Sequence, residues 1–302
     1  MEHDFDVIVV GGSFAGMSAT LQLVRARQNV LVLDGNLRRN RFASHSHGFL
    51  GQDGRAPDDI IADSRAQLMK YETLTWKNEL AVTARRTDRL IEITTGNGDT
   101  FSSRTLILAT GVKDTLPDIP GLAQRWGKAV FHCPYCHGYE LNRQPMGVLA
   151  SSGLAMHQAL MLPDWGPTTL FLNHAFDPDE TQLAQLARRN VTLERTGIAG
   201  ITGDNATVIL EDGRKIDLAG LLIQTRTEIT SPLAHQLGCA FEEGPLGPFI
   251  KIDAMMETTI PGVFACGDAA VGAGSVGLAV GNGVRAGAAA HHALIFWDNA
   301  VA

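Results

Sequence analysis

Residues 132 to 141, HCPYCHGYEL, place Cys133 and Cys136 two residues apart and set a histidine directly after the pair. Side chains of these types ligate a metal, close a structural disulfide, or exchange electrons as a thiol–disulfide couple. A structural zinc site draws on four ligands, and the other two cysteines do not supply them: Cys239 lies far downstream and Cys266 sits inside the stretch TTIPGVFACGD. His45 and His47 form a pair with no third ligand near them in sequence, so wall or turn positions suit them better than metal ligation. A disulfide enclosing two residues removes little chain entropy and stabilises little. Exchange chemistry remains, and a C-x-x-C at the start of a helix suits it. The sulfurs stay within bonding reach, the helix dipole favours a thiolate, and Cys133 is the natural exposed attacking thiol.

A second set of residues speaks for a bound dinucleotide. GGSFAG, residues 11 to 16, fits G-x-G-x-x-G except for Ser13 in place of the middle glycine. It stands between the apolar run FDVIVV and a stretch with Met17, Leu21 and Val24 at helical spacing, after which NVLVLD resumes strand character. That is a strand–turn–helix–strand unit whose backbone N–H groups face a pyrophosphate, and Asp34 ends the second strand where an acid takes the ribose hydroxyls. Near the other end of the chain, TTIPGVFACGD delivers Gly267 and Asp268 at a strand's carboxyl end, ahead of a Gly/Ala-rich helix beginning near Ser275.

The elements that must hold these residues alternate along the chain. PDDIIADSRAQLMKY opens with Pro57 and two acids, a helix N-terminus. RLIEITTGNGDTFSSRTLILATG predicts two strands around a Gly-Asn-Gly turn, the second running to Ala109, Thr110 and Gly111. VKDTLPDIPGL has the composition of a connector, and the segments from GVLASSGLAMHQALML to AGLLIQT repeat the strand and helix alternation as a second α/β unit. PLGPF, residues 245 to 249, is expected to be a further hinge, with a return to the first unit beyond it. The predicted division is 1–116 and 247–302 for a first domain and 117–246 for a central domain carrying the cysteines.

The chain has 302 residues, 45% of them hydrophobic, enough for packed cores. Its net charge of −7 argues against a nucleic-acid binder, and the basic run Arg38, Arg39, Arg41 is a local feature facing solvent, an acidic partner or a bound phosphate. MEHDFDVIVVGG lacks the basic start and cleavage site of a secretory signal, and no apolar run reaches membrane-spanning length. The expectation is a cytoplasmic protein, where a close cysteine pair serves redox or metal chemistry more often than structure.

GGSFAG, LILATG and FACGD together resemble the FAD-binding pattern of the flavoproteins with two dinucleotide-binding domains, and CPYC in the central domain narrows the resemblance to the low-molecular-weight thioredoxin reductases. The resemblance covers essentially the whole chain. It implies two Rossmann-like domains of the three-layer ββα type in an α/β protein, FAD as cofactor, and a homodimer. It further implies that Gly11, Gly12, Ser13, Phe14, Ala15 and Gly16 hold the pyrophosphate and Asp34, with Gly35, the adenosine ribose. Arg41, His47 in the loop HSHGFLG, Val82, and Ala109, Thr110 and Gly111 are expected to border the cofactor. Gly267 and Asp268 are expected to meet the ribityl and phosphate region, and Ser275 and Val276 the flavin ring. Cys136 would face the flavin while Cys133 exchanges with substrate. His137 stands where thioredoxin reductases carry an aspartate; it is expected to act as general acid and base, and otherwise to be a solvent-facing helix residue. His132 is expected at a strand end.

The family pattern breaks in the central domain. Relatives using NADPH carry a second glycine fingerprint and a histidine-arginine-arginine cluster for the 2′-phosphate. Here ASSGLA, residues 150 to 155, and Leu172, Asn173 and His174 occupy those places. Added Cβ atoms crowd a pyrophosphate and no arginine pairs the phosphate, so NADPH is not the expected electron partner. Two sets of relatives lack these motifs. One takes electrons from ferredoxin or another donor and reduces thioredoxin-like disulfides; the other, of gliotoxin and holomycin type, oxidises small-molecule dithiols and passes electrons to oxygen. The stretch CPYCHGYE resembles the second. A flavin redox sensor without turnover is the remaining class. Phe296 and Trp297 are expected in the core or a subunit interface, or else over the flavin.

Overall fold

The computed structural model describes residues 4–87, 90–272 and 274–296. It divides into two compact units, one formed by 1–39, 57–114 and 227–302, the other by 40–56 and 115–226.

In the first unit the apolar runs Phe5–Val10 and Val30–Leu33 lie side by side as parallel strands, with Leu74–Lys77 beyond them. Thr100–Leu108 pairs with Phe5–Val10 on its other side and is long enough to take two partners along its far edge. Its first half, through Ser103, pairs antiparallel with Ile91–Thr95, which pairs in turn with Ala81–Arg86. Its last residues pair parallel with Val263–Ala265. One strand thus joins a parallel sheet to an antiparallel layer, which is how the expected three-layer form arises.

Alternation along the strands explains the packing, since neighbouring side chains point to opposite faces. Val7, Val9, Val30, Val32 and Ile107 meet the helices Phe14–Arg25 and Val276–Phe296. Ile8, Leu31, Leu33, Leu106 and Leu108 pack with Ala84, Ile91 and Ile93 of the antiparallel layer.

The second unit repeats the plan. Its parallel sheet runs in the order Thr192–Glu194, Thr168–Phe171, Met146–Leu149, Gly220–Ile223, Val130–Phe131. The antiparallel strands Ile198–Thr202, Thr207–Leu210 and Lys215–Ile216 form a further layer. The helix Glu180–Arg188 starts in a capping box between Asp179 and Gln182. The α/β, two-Rossmann architecture expected from the sequence is the one the chain adopts.

Two features depart from the sequence reading. PLGPF is not a hinge: Phe241–Gly244 and Gly247–Ile250 form an antiparallel hairpin with Pro245 and Leu246 as its turn. Gly247 has φ +144°, and a Cβ there would overlap the carbonyl of Thr227, so the glycine answers a close backbone approach. The chain leaves the second unit after residue 226, against the expected 246. In addition, 40–56 belongs to the second unit although both its neighbours belong to the first. No helix among the described residues is long and apolar enough to cross a membrane.

Candidate cofactor cradle and thiol site

The glycine turn in the first unit is built by crowding. Gly11 has φ +105°, and a Cβ on it would overlap the carbonyl of Ala109; one on Gly16 would overlap the carbonyl of Gly11. Strand end, turn and helix therefore meet without side chains between them. Ser13 is the N-cap of Phe14–Arg25 in extended conformation, yet its hydroxyl makes no capping hydrogen bond, and the first turn carries no acid. The amides and dipole at this helix end remain available to an anion. Thr110, at the end of the neighbouring strand, keeps a buried hydroxyl oxygen without a hydrogen-bond partner among the described residues.

Beside the turn opens a cleft of about 530 Å³ whose lining includes Gly12, Asp34, Asn36, Arg38, Asp58 and Arg65. Asp34 stands at the end of its strand as expected and accepts a hydrogen bond from the Asn36 amide at 3.1 Å. Arg38 pairs with Asp58, and the Arg65 guanidinium lies 4.6 Å from the Trp76 ring centre. Asn36, Arg38, Asp58 and Arg65 were not picked as lining residues. Only the basic run at 38 to 41 hinted at them, because the helix Pro57–Leu68 has no fixed spacing to the glycine turn. Such a cleft at a strand's carboxyl end, next to an uncapped helix start and an orphaned hydroxyl, fits the pyrophosphate and adenosine of FAD.

Gly267, with φ +69°, and Asp268 follow the strand Val263–Ala265, and the Ser275 hydroxyl accepts from the Leu278 amide at the start of the helix Val276–Phe296. Asp268 is bound within the protein. Arg39 donates through Nη1 to its Oδ2 at 2.8 Å, and through Nε and Nη2 to both oxygens of Asp114 at 2.7 and 2.6 Å. Burial works against the guanidinium charge, but the bonds to Asp114 and Asp268 overcome it and raise the Arg39 pKa. Arg41, by contrast, stacks on Phe42 at 4.3 Å in the segment belonging to the second unit. Gly35 lies beside Leu80, and the Val82 carbonyl accepts from Gln236 at 3.2 Å.

In the second unit Cys133 is the N-cap of the single helical turn Pro134–His137, with a hydrogen bond of 3.3 Å from the Cys136 amide to the Cys133 carbonyl. The pair does open a helix, as the spacing predicts. One turn aligns few peptide dipoles, however, so activation of a thiol falls to neighbouring groups more than expected. His137 follows, not as a solvent-facing residue but stacked on Phe131 at 4.8 Å and 11°. Its Nδ1 is buried without a hydrogen-bond partner among the described residues. Burial lowers its pKa from the usual histidine value, with a further push from His47 and opposition from the Cys133 backbone and Glu140. Burial thus disfavours the protonated imidazole. His132 directly follows the strand Val130–Phe131, its ring centre 5.9 Å from that of Trp126.

The loop from Ser46 to Arg55 packs against this turn. Gly54 and Ser46 close it through backbone bonds, and Asp53 accepts from the Gly48 amide at 2.8 Å. His47 is thereby held with Nδ1 3.4 Å from Glu140 and 3.6 Å from Asp53. His45 lies 6.2 Å from His47, ring centre to ring centre. Among the described residues no three or more His, Cys, Asp or Glu side chains gather as a metal site. The remaining cysteines are inert: burial pushes the Cys266 thiol up to about 12 and raises Cys239 as well.

At the second fingerprint, the Ser152 hydroxyl accepts from the Leu154 amide ahead of the short helix Ala155–Met161. Asn173 accepts from the Ile198 amide at 2.9 Å, and His174 pairs with Glu211 at 3.2 Å. A carboxylate thus stands beside the place where a 2′-phosphate needs cations. Phe296 packs on His292 at 4.4 Å; Trp297 and the rest of the tail lie outside the described residues.

The family model for pyridine nucleotide-disulphide oxidoreductases matches residues 5–293. A protein of Claviceps purpurea named thioredoxin reductase tcpT is 32% identical over 278 residues, covering 87% of this chain and 86% of its own length. Among solved structures, an oxidoreductase from Agrobacterium tumefaciens aligns with a TM-score of 0.95 at 54% identity, over 97% of this chain and 99% of that one. HlmI aligns with a TM-score of 0.91 at 31% identity, over 100% and 96%.

Proposed function

The chain belongs to the pyridine nucleotide-disulphide oxidoreductase family and is a thioredoxin reductase-like, FAD-binding oxidoreductase, and from that premise we propose that Cys133 and Cys136 form its redox couple, working without NADPH. The observation that carries the proposal is the imidazole of His137 directly after the pair, stacked on Phe131 with its Nδ1 buried and without a hydrogen-bond partner among the described residues. Bound FAD supplies a reservoir for two electrons. As a disulfide reductase, the reduced pair presents Cys133; as its sulfur attacks a substrate disulfide, His137 takes the thiol proton and passes it to the sulfur that leaves as one thiol. Cys136 then attacks Cys133 in the mixed disulfide and releases the second, so the protein pair loses the two electrons that the substrate gains. The substrate is a thioredoxin-like protein or another disulfide, and the electron donor is of ferredoxin type. A cytoplasmic homodimer completes the picture, since a dithiol couple of this kind works where thiols are kept reduced.

C-x-x-C-H favours a second direction, in which a small-molecule dithiol reduces the pair's disulfide and oxygen is the final acceptor. Anaerobic stopped-flow absorbance separates the two. Rapid flavin bleaching by reduced ferredoxin, with transfer to oxidised thioredoxin, supports the reductase; bleaching by a small dithiol and fast recovery in air supports the oxidase. A sensor without turnover is tested by Cys133→Ser and Cys136→Ser. Both are expected to abolish turnover while the yellow cofactor stays bound, and loss of FAD from both would make the cysteines structural instead.

A further inference from the structure

Arg39, Asp114 and Asp268 come from positions far apart in sequence, a turn at 39–42, the short strand Lys113–Thr115 and the turn after Val263–Ala265, and meet with side chains 17%, 5% and 20% exposed. Two carboxylates and one guanidinium leave a net negative charge in a shielded place. Without the arginine, the two carboxylates would face each other unpaired and repel. The bidentate grip on Asp114 fixes the plane and direction of the guanidinium, which an ammonium group would not do. Its third bond then holds Asp268 by Oδ2 alone. The other oxygen, Oδ1, lies against Gly274, where a Cβ would overlap it. Arg39, Asp268, Gly272 and Gly274 line one small recess together with Phe249.

We propose that Arg39 is a positioning residue of the FAD cradle. Anchored on Asp114, it holds Asp268 turned so that its remaining oxygen is a ready acceptor for the hydroxyls of the cofactor's polyol chain. The proposal rests on FAD binding, and its test keeps the two apart. Arg39 and Asp114 are also the last residues of the first unit before the chain passes to the second, so the same fork ties both exits to one point.

FAD release from the purified holoprotein is followed by the rise of flavin fluorescence after dilution, in the parent and in Arg39→Gln, Arg39→Lys, Asp114→Asn, Asp268→Asn and the double variant Arg39→Gln/Asp268→Asn. Arg214→Gln, in the other unit, is the control. Loss of a charge-assisted bond is expected to speed release roughly tenfold in Arg39→Gln and Asp268→Asn. Asp114→Asn and Arg39→Lys should fall between these and the parent, the lysine keeping the charge without the fork. Because Arg39 acts through Asp268, the double variant should release FAD no faster than the faster single variant. Release from Arg39→Gln within twofold of the parent overturns the proposal. So does a double variant equal to the product of the singles, or release rates that simply track the melting temperature of each apoprotein. A parent protein that carries no flavin overturns the FAD reading beneath it.

Discussion

At His137 an imidazole, and not a carboxylate, stands directly after the cysteine pair, and that changes what a thiol site can do. A carboxylate is charged at neutral pH, whereas this imidazole is held neutral by burial and becomes charged only below the ordinary histidine range. Its folded-state pKa is lowered, so between that value and about 6.5 the unfolded chain binds more protons than the folded one. Stability therefore rises with pH through this window and falls on acidification. His137→Gln is expected to flatten that slope in melting temperatures taken from pH 5 to pH 8, and to remove the acid limb of the turnover profile. The groups facing His137 are Glu140, His47 and the Cys133 backbone, and none of them is altered by the substitution. An acid limb unchanged in His137→Gln would assign the proton to another group. The sequence made His137 visible by its place after the cysteines. It did not show that the loop from Ser46 to Arg55 would bring His47 to Glu140, because the seventeen residues 40–56, set between a strand and a helix of the first unit, carry no mark of belonging to the second.

Among the elements, the helices Phe14–Arg25 and Val276–Phe296 hold the two glycine-bearing turns of the cradle in place through backbone-close packing. A Cβ on Gly287 would overlap the carbonyl of Ala19, and one on Gly283 that of Ala15, whereas Gly281 meets nothing within 4 Å. Gly287→Ala is expected to destabilise by about 1–3 kcal/mol through overpacking. Gly281→Ala, on the exposed face of the same helix, is expected to stabilise by about 0.5–1 kcal/mol through chain entropy. Urea unfolding of the two variants checks both signs, and a Gly287→Ala protein as stable as the parent would mean that the helices slide apart freely. These elements were legible because their patterns are local: an apolar run, a glycine turn, helical spacing. The hairpin at residues 241 to 250 was misread as a hinge because proline and glycine mark a tight turn and a connector alike. What distinguishes them is the pairing of Gly244 with Gly247, a contact that composition does not carry. Arg39 was lost for a related reason. Within Arg38, Arg39 and Arg41 nothing in sequence tells which side chain finds two carboxylates from distant positions.

At the scale of the whole chain, the duplication has left two units with the same plan and different chemical endowments. The first keeps its crowding glycines, an uncapped helix start and an orphaned Thr110 hydroxyl, all suited to a dinucleotide. In the second the corresponding turn has Ala150 and Ser152, and its helix Ala155–Met161 has only seven residues. Asn173 and His174 adopt positive φ and are engaged by the Ile198 amide and by Glu211. A 2′-phosphate brought there would meet a carboxylate where an arginine fork is required, and each unmatched charge-assisted bond forfeits roughly 1.5–3 kcal/mol. The central unit thus keeps the scaffold that carries Cys133 and Cys136, while its turn at 150–155 lacks the glycine pattern of residues 11–16. Micromolar NADPH is expected to leave the flavin absorbance of the anaerobic protein unchanged over seconds, and Glu211→Gln should not restore reduction, because the glycines and arginines are absent as well. Rapid bleaching by NADPH in the parent protein would mean that the second unit binds nicotinamide by contacts other than a glycine turn and a basic cluster, and would return the enzyme to the ordinary reductases.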